Sequence, residues 1–240
     1  MLDTPAAACE TLPQAVAAYT EAFRLGGGAA IADRVQPSTV VYALDGGKVV
    51  GQTRAAWKAQ PAQPAPDLAT EVVSAGPRTA IVTARWTQGY AARRDYTLWA
   101  RLECHWRIMG RVVGAERTLE PSAAEGVRAT VDLKLASDAA WDPVALAKAI
   151  EPRALVITID DKQMAAASVA DWQARYTARA KANYPSKQTV LARAEEGRGD
   201  LGAATWTFRS ASGATYADRA LLLRTPEGWR MLALLWVRED

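Results

Sequence analysis

Carboxylates and phenols gather in the first half of this 240-residue chain, where Tyr42 precedes Asp45 and where Tyr90, Asp95 and Tyr96 follow closely on one another. Proton abstraction from carbon needs such groups: a carboxylate as base, and a phenol or neutral acid to hold the oxyanion that develops. The groups are present, but no local motif arranges them. Asp95 and Arg101 stand six apart, as do Asp218 and Arg224, so each pair shares one face of a strand. Each pair reads either as a structural polar ladder or as polar anchors for a ligand. Trp57, Trp86, Trp99 and Tyr42 supply the aromatic surface that lines apolar pockets, or pack as core. The single histidine, His105, has no cysteine partner, and no nucleophile motif is visible.

Composition narrows the classes further. Net charge is +3 and the pI is near 8.9, but 29 basic residues are scattered among 26 acidic ones, with only small clusters such as Arg93-Arg94 and Arg175-Arg179-Lys181. A nucleic-acid surface needs basic groups gathered on one face, so no nucleic-acid partner is expected. The longest apolar runs, Leu221–Leu223 and Leu232–Val237, are far shorter than the ~18 residues of a membrane span, and no span is expected. Cys9 and Cys104 lack metal-ligand spacing, which excludes a structural zinc site; neither metal nor cofactor is expected. They read as two small apolar residues in a reducing compartment, with one disulfide in an oxidising compartment as the alternative. The start, Met1-Leu2-Asp3-Thr4-Pro5, has neither a basic region nor an apolar core. A cytoplasmic location is therefore expected, or a periplasmic one if a leader was removed before residue 1.

The elements that position these residues appear twice. Pro37 and Trp57 recur as Pro152 and Trp172 at an offset of 115 without a gap, and Ala84-Arg85-Trp86-Thr87 meets Ala204-Thr205-Trp206-Thr207 at 120. Asp95, Arg101, Trp106 and Arg107 meet Asp218, Arg224, Trp229 and Arg230 at 123. An offset that only grows is what loop insertions between two copies produce, so two domains are expected, 1–118 and 119–240.

Within the first copy, Thr11 before Leu12-Pro13 caps a helix over about 12–24, and a short helix follows over 30–35, stopped by Pro37. Thr39–Leu44 is a strand, turned back by Asp45-Gly46-Gly47. A third helix over 53–59 carries Trp57, and strands are expected over 69–75, 79–88, 94–102 and 106–114. The second copy repeats this order. A helix ends near Ile150, a strand over 154–159 turns at Asp160-Asp161, and a helix runs from Ser168 to about Asn183. Strands follow over 187–196, 202–210, 215–224 and 229–237. Thr130–Leu135 alternates like a strand, but the repeat requires a helix over 122–137, and a helix is predicted there.

Strands grouped together with helices toward one end indicate an α+β unit, a curved antiparallel sheet with helices on one face. Leu221–Leu223 and Leu232–Trp236 are apolar on both sides of their strands, so the other face must also be covered, and the sister copy is the nearest cover.

This order, with Arg94-Asp95-Tyr96-Thr97-Leu98 before Trp106-Arg107-Ile108 and Asp218-Arg219 before Gly228-Trp229-Arg230-Met231, resembles the nuclear transport factor 2-like superfamily, including its SnoaL-like and lumazine-binding branches. The resemblance spans nearly the whole chain, twice. It implies two cone-shaped barrels, each a curved sheet covered by about three helices, with a pocket at the open end and dimerisation through the outer sheet face. Here that dimer is expected inside one chain, giving a monomer with an internal pseudo-dimer. The superfamily hosts isomerases, dehydratases, epoxide hydrolases and non-catalytic binders. A two-histidine dehydratase site is excluded by the lone His105. An Asp-Arg-Asp epoxide-hydrolase set from Asp33, Arg101 and Asp95 is selected by no local motif.

The expected function is thus non-catalytic binding of a small apolar molecule in the first cone, with Tyr42, Trp86, Tyr90, Asp95, Tyr96, Trp99 and Arg101 as ligand-binding candidates. The catalytic residues, if any, are left open. The second copy carries Ile157 and Leu222 where the first has Tyr42 and Trp99, so its cone is expected to be closer to plain core. The alternatives are a lyase or isomerase using pocket carboxylates, and an interaction scaffold with filled cones.

Overall fold

A computed structural model describes residues 9–160, 163–186 and 188–239. The leader reading at Met1–Pro5 lies outside the described residues. So do Asp161 of the Asp160-Asp161 turn and the first residue of the strand expected from 187.

Helix α1 (Leu12–Gly26) opens with a reciprocal cap, the Thr11 side chain accepting from Gln14 N while the Gln14 side chain accepts from Thr11 N. Its buried stripe, Ala15, Tyr19 and Phe23, recurs every fourth residue. It stops at Gly27, where φ is 63° and an added Cβ would lie 2.0 Å from the Gln63 carbonyl oxygen, so a side chain there is blocked twice over. Then come α2 (Gly28–Ile31), a 3-10 turn (Ala32–Arg34), β1 (Val40–Asp45), β2 (Lys48–Thr53) and α3 (Arg54–Lys58). The meander is β3 (Ala69–Ala75), β4 (Thr79–Gln88), β5 (Ala91–Leu102) and β6 (His105–Ala115).

The second half repeats this with α4 (Pro121–Ala140), α5 (Pro143–Ala149), β7 (Ile150–Asp160), β8 (Gln163–Ser168), α6 (Val169–Lys181), β9 (Thr189–Arg198), β10 (Leu201–Arg209), β11 (Thr215–Thr225) and β12 (Gly228–Arg238). The segment that alternates like a strand is inside α4. Val127, Val131, Lys134 and Asp138 recur at three- and four-residue spacing and are all buried, so the helical period is the one that tertiary packing uses. Trp57 and Trp172 occupy equivalent helices, α3 and α6, and both are buried beneath their sheets.

The sheets run β2-β1-β6-β5-β4-β3 and β8-β7-β12-β11-β10-β9. They are mixed rather than antiparallel throughout, because β1 lies parallel to β6 and β7 parallel to β12. The helix and loop after each hairpin carry the chain across to the far edge, so the meander returns with its last strand aligned to the first. The fold is α+β, with two such sheets each preceded by helices.

Strand alternation divides the apolar side chains between two faces. The inward face of the first sheet packs with Tyr19, Phe23 and Trp57 from its helices, and that of the second with Val127, Val131 and Trp172. The outward faces meet each other. Tyr42, Tyr96, Leu98 and Met109 share one core with Ile157, Leu221, Leu223 and Leu235. Gly110 and Ala233 hold corresponding places, opposite Leu98 and Leu221, and they face each other at the centre. A Cβ on Gly110 would lie 2.4 Å from that of Ala233. Like meeting like is the signature of a two-fold interface, here between halves of one chain.

The cysteines correct the reduced-thiol expectation: Cys9 and Cys104 form a disulfide, with Cα atoms 4.4 Å apart across 95 residues of sequence. The segment before α1 lies against the β5–β6 turn, where Glu10 N donates to Cys104 O and Trp106 N donates to Glu10 Oε2. Sequence separation concealed that adjacency. Among the described residues no helix is long and apolar enough to cross a membrane.

Candidate functional site

The first cone is open. Alternation along β1 turns Val41 and Ala43 inward, and β4 and β6 contribute Trp86, Arg111 and Val113. With Phe23 of α1 and Trp57 of α3 they enclose a cavity of about 500 Å³. Amides edge its mouth in two pairs, Gln60 Nε2 donating to Gln52 Oε1 at 3.0 Å and Gln88 Nε2 to Gln63 Oε1 at 2.7 Å.

At the bottom sits a guanidinium in an aromatic cage. Arg111 is 4% exposed, and its Cζ lies 4.9 Å from the ring centroid of Trp57, 5.2 Å from Phe23 and 5.5 Å from Trp86. Behind it, Arg111 Nε donates to Asp95 Oδ2 at 2.6 Å. Asp95 is fully buried and also accepts from Tyr19 OH (3.2 Å) and Ala84 N (3.1 Å). Burial raises the Asp95 carboxyl above its ordinary range, and the Arg111 charge opposes that rise. Burial, reinforced by the Asp95 charge, pushes the Tyr19 phenol well up, so Tyr19 serves as a donor. The two Nη groups of Arg111 make no hydrogen bond to another described residue, so the cage presents N–H donors to the cavity.

The second cone is built differently. An inner chamber of about 40 Å³ is flanked by Lys134, Asp138, Tyr176 and Asp218. Lys134 Nζ contacts both Asp138 oxygens, at 2.6 and 2.8 Å, and Tyr176 OH donates to the same carboxylate. Burial works against the Lys134 ammonium, but Asp138 outweighs it and holds the proton above the ordinary lysine range. Asp218, fully buried, has its carboxyl pushed up to about 8 by burial against the pull of Lys134. Outside the chamber a vestibule of about 330 Å³ is walled by Trp141, Tyr184, Phe208, Tyr216 and Trp236. Leu222 does pack in this cone's core, as its replacement of Trp99 suggested, but the cone also holds a polar cluster that plain core lacks.

Of the residues singled out from the sequence, Trp86 borders the first cavity, and Asp95 and Trp99 lie in the cone core around its floor, the Trp99 indole donating to Thr97 Oγ1 at 2.8 Å. Tyr42 and Tyr96 are on the opposite face, between the sheets, where Tyr42 OH donates to Arg153 O at 2.7 Å and Tyr96 OH to Glu196. Tyr90 is exposed on the β4–β5 turn, and Arg101 is half-buried at the far end of β5. The supposed ladders do not pair: Asp95 takes Arg111, and Arg224 takes Asp200 at 2.8 Å. Six residues of strand span roughly 20 Å, too far for a direct ion pair. The Asp33, Arg101 and Asp95 set is not brought together, since Asp33 is exposed and paired with Lys58 and Arg54. Arg111 left a trace in the sequence, a lone charge within the apolar run Ile108–Val113. Lys134 and Asp138 left a fainter one, polar residues at i and i+4 on the apolar face of α4.

No family model and no curated protein matches the chain. Solved structures do. An NTF-2 like protein of unknown function from Silicibacter pomeroyi covers 48% of this chain and 94% of its own, at 16% identity and a TM-score of 0.41. An NTF2-like protein of unknown function from Shewanella baltica covers 51% and 98%, at 12% identity and 0.42. An NTF2-like protein with a cystatin-like fold from Novosphingobium aromaticivorans covers 50% and 83%, at 18% identity and 0.41. Each matches about half of the chain, which itself carries the order helices, strand pair, helix and four-strand meander twice.

Proposed function

From an NTF2-like fold carried twice in one chain, we propose that the first repeat is a binding domain for a small, largely apolar molecule ending in an acceptor oxygen group, best a carboxylate. The observation that carries this reading is Arg111, anchored through Nε alone, caged by three aromatic rings and presenting its Nη edge to a 500 Å³ cavity. A carboxylate meets two parallel N–H groups of a guanidinium in a forked pair, and low dielectric strengthens such bonds. The ring or chain of the ligand would lie against Trp57, Trp86 and Val113, and the glutamine rim would contact whatever projects from the mouth.

Binding without turnover is favoured because Asp95, the carboxylate behind this cavity, already accepts three hydrogen bonds and does not border the space. A general base must reach the proton it removes. The two repeats, 1–118 and 119–240, would act as one monomer, each covering the other's outer sheet face. The Cys9–Cys104 disulfide supports an oxidising compartment, closer to the periplasmic alternative than to the cytoplasmic expectation.

Titration with 1-naphthoate, followed by tryptophan fluorescence, tests the reading. Saturable binding is expected, about tenfold or more weaker for the methyl ester and for the Arg111→Leu/Asp95→Asn double variant, which removes both charges and strands neither. Trp86→Ala should weaken it as well. Unchanged affinity in the double variant would refute the proposal.

A further inference from the structure

The polar cluster of the second cone is unused by the first-repeat site and is built for something of different charge. Three buried polar atoms of residues that border the inner chamber have no hydrogen-bond partner among the described residues: Asp218 Oδ1, Gln188 Oε1 and Trp172 Nε1. The indole N–H of Trp206, directly across the strand from Asp218, is directed at that carboxyl and opposes the effect of its burial. Buried polar groups are nearly always met, so a cluster of unmet ones bordering a cavity points to a missing occupant.

The space sets the occupant's shape. A chamber of about 40 Å³ holds only the end of a molecule, roughly one or two water-sized groups. Trp141, Arg179, Gln188, Phe208 and Trp236 border both the chamber and the vestibule, so the partition between them is a single layer of side chains. The vestibule suits a flat ring: Phe208, Tyr216 and Trp236 stack in sequence with centroids 5.3 and 4.6 Å apart.

The chemistry sets its end group. Asp138 is spent on Lys134 and Tyr176, and that ion pair cancels its own charge. Asp218, kept protonated by burial, offers one O–H donor and one acceptor oxygen. Gln188 Oε1 adds an acceptor and Trp172 Nε1 a donor. An anion would meet the Asp138 carboxylate and the Gln188 Oε1 acceptor, and a cation would face Lys134 and Arg179. A neutral carboxamide or lactam matches, because its C=O and N–H close a two-bond ring with a carboxylic acid. We infer that the second cone is a separate binding site for a small aromatic molecule ending in a neutral carboxamide or lactam, its end group paired with Asp218 and its ring in the Trp141–Trp236 vestibule.

The experiment compares three probes of one shape, benzamide, acetophenone and benzoate, by calorimetry on the full chain carrying Arg111→Leu and Asp95→Asn, which removes the guanidinium that would hold benzoate in the first cone. Benzamide is expected to bind about tenfold or more tightly than the other two at pH 7, since each comparator leaves a buried polar atom unmet. Asp218→Leu should abolish the preference, whereas Asp218→Asn, whose amide also donates and accepts, should keep it. Between pH 7 and pH 9 the native protein should weaken about tenfold as the competent protonated fraction falls, while the Asn variant should not. The other titratable groups facing Asp218 are Lys134 and Asp138 of α4, Tyr176 and Arg179 of α6, and its neighbour Arg219. Lys134 and Tyr176 are both pushed above their ordinary ranges and keep their protons across this window. The Arg111→Leu/Asp95→Asn variant should bind benzamide as the native chain does, which separates this site from the first cone. Equal affinity for the three probes, no saturable binding at millimolar benzamide, or loss of benzamide binding in a folded Arg111→Leu/Asp95→Asn variant would each overturn the inference.

Discussion

Exchanging a single methyl group across the centre of the molecule tests the sheet-on-sheet arrangement. Gly110→Ala places a Cβ 2.4 Å from that of Ala233, where carbon atoms prefer 3.5–4.0 Å, so the facing sheets must separate by about 1 Å at their closest point. In a strand this substitution would ordinarily help, since glycine costs about 0.5–1 kcal/mol of chain entropy there. Overpacking a close interior contact costs about 1–3 kcal/mol and reverses the sign. At about 2–4 °C per kcal/mol for a chain of this size, Tm should fall by roughly 2–12 °C. Ala233→Gly alone removes one buried methyl and adds chain entropy, for a loss of about 1–2 kcal/mol. The double variant, Gly110→Ala with Ala233→Gly, only moves the methyl from one copy to the other, and its stability should return to within about 1 kcal/mol of the native chain. Chemical denaturation of the four proteins in a double-mutant cycle measures the coupling. If the two losses simply add, Gly110 and Ala233 do not meet and the pairing of outer faces is refuted.

Light scattering should give the mass of one chain, because each sheet's outer face is covered by its sister; a concentration-dependent dimer would contradict this. Reducing the Cys9–Cys104 bond opens a loop of 95 residues, which should lower stability by about 2–4 kcal/mol, read as a drop of roughly 4–16 °C in Tm with dithiothreitol. Asp218 has a folded-state carboxyl raised to about 8 from 3.8, so the folded state holds a proton that the unfolded chain releases; its contribution is present below about pH 4 and is lost as pH rises through 8. The native chain should therefore lose several kcal/mol between pH 5 and pH 9 relative to Asp218→Asn. Parallel stability curves for the two would show that the carboxyl is not held neutral.

The sequence alone determined the order of the elements and their repetition, since local signals and the repeat agreed, but not that β1 and β7 lie parallel to β6 and β12. Thr11-Leu12-Pro13 can hardly be anything but a helix start, Asp45-Gly46-Gly47 supplies the turn of the hairpin, and the ungapped recurrence of Pro37 and Trp57 overrode the strand-like alternation at Thr130–Leu135. Strands apolar on both faces also implied a cover, which the sister sheet provides. What only the tertiary structure decided was which side of each sheet a residue occupies and whom it meets. Tyr42 and Tyr96 belong to the face between the sheets and Trp86 to the cone, a choice between two faces that periodicity of two leaves open until the layers are assembled. Asp95 pairs with Arg111 on the neighbouring strand instead of Arg101 on its own, because strand register, absent from local sequence, sets cross-strand neighbours. Cys9 and Cys104, and the unmet atoms of Gln188, Trp172 and Asp218, likewise come together from segments far apart in the chain. Chemistry in this protein depends on distances of about 3 Å between such segments, and only the folded chain fixes them.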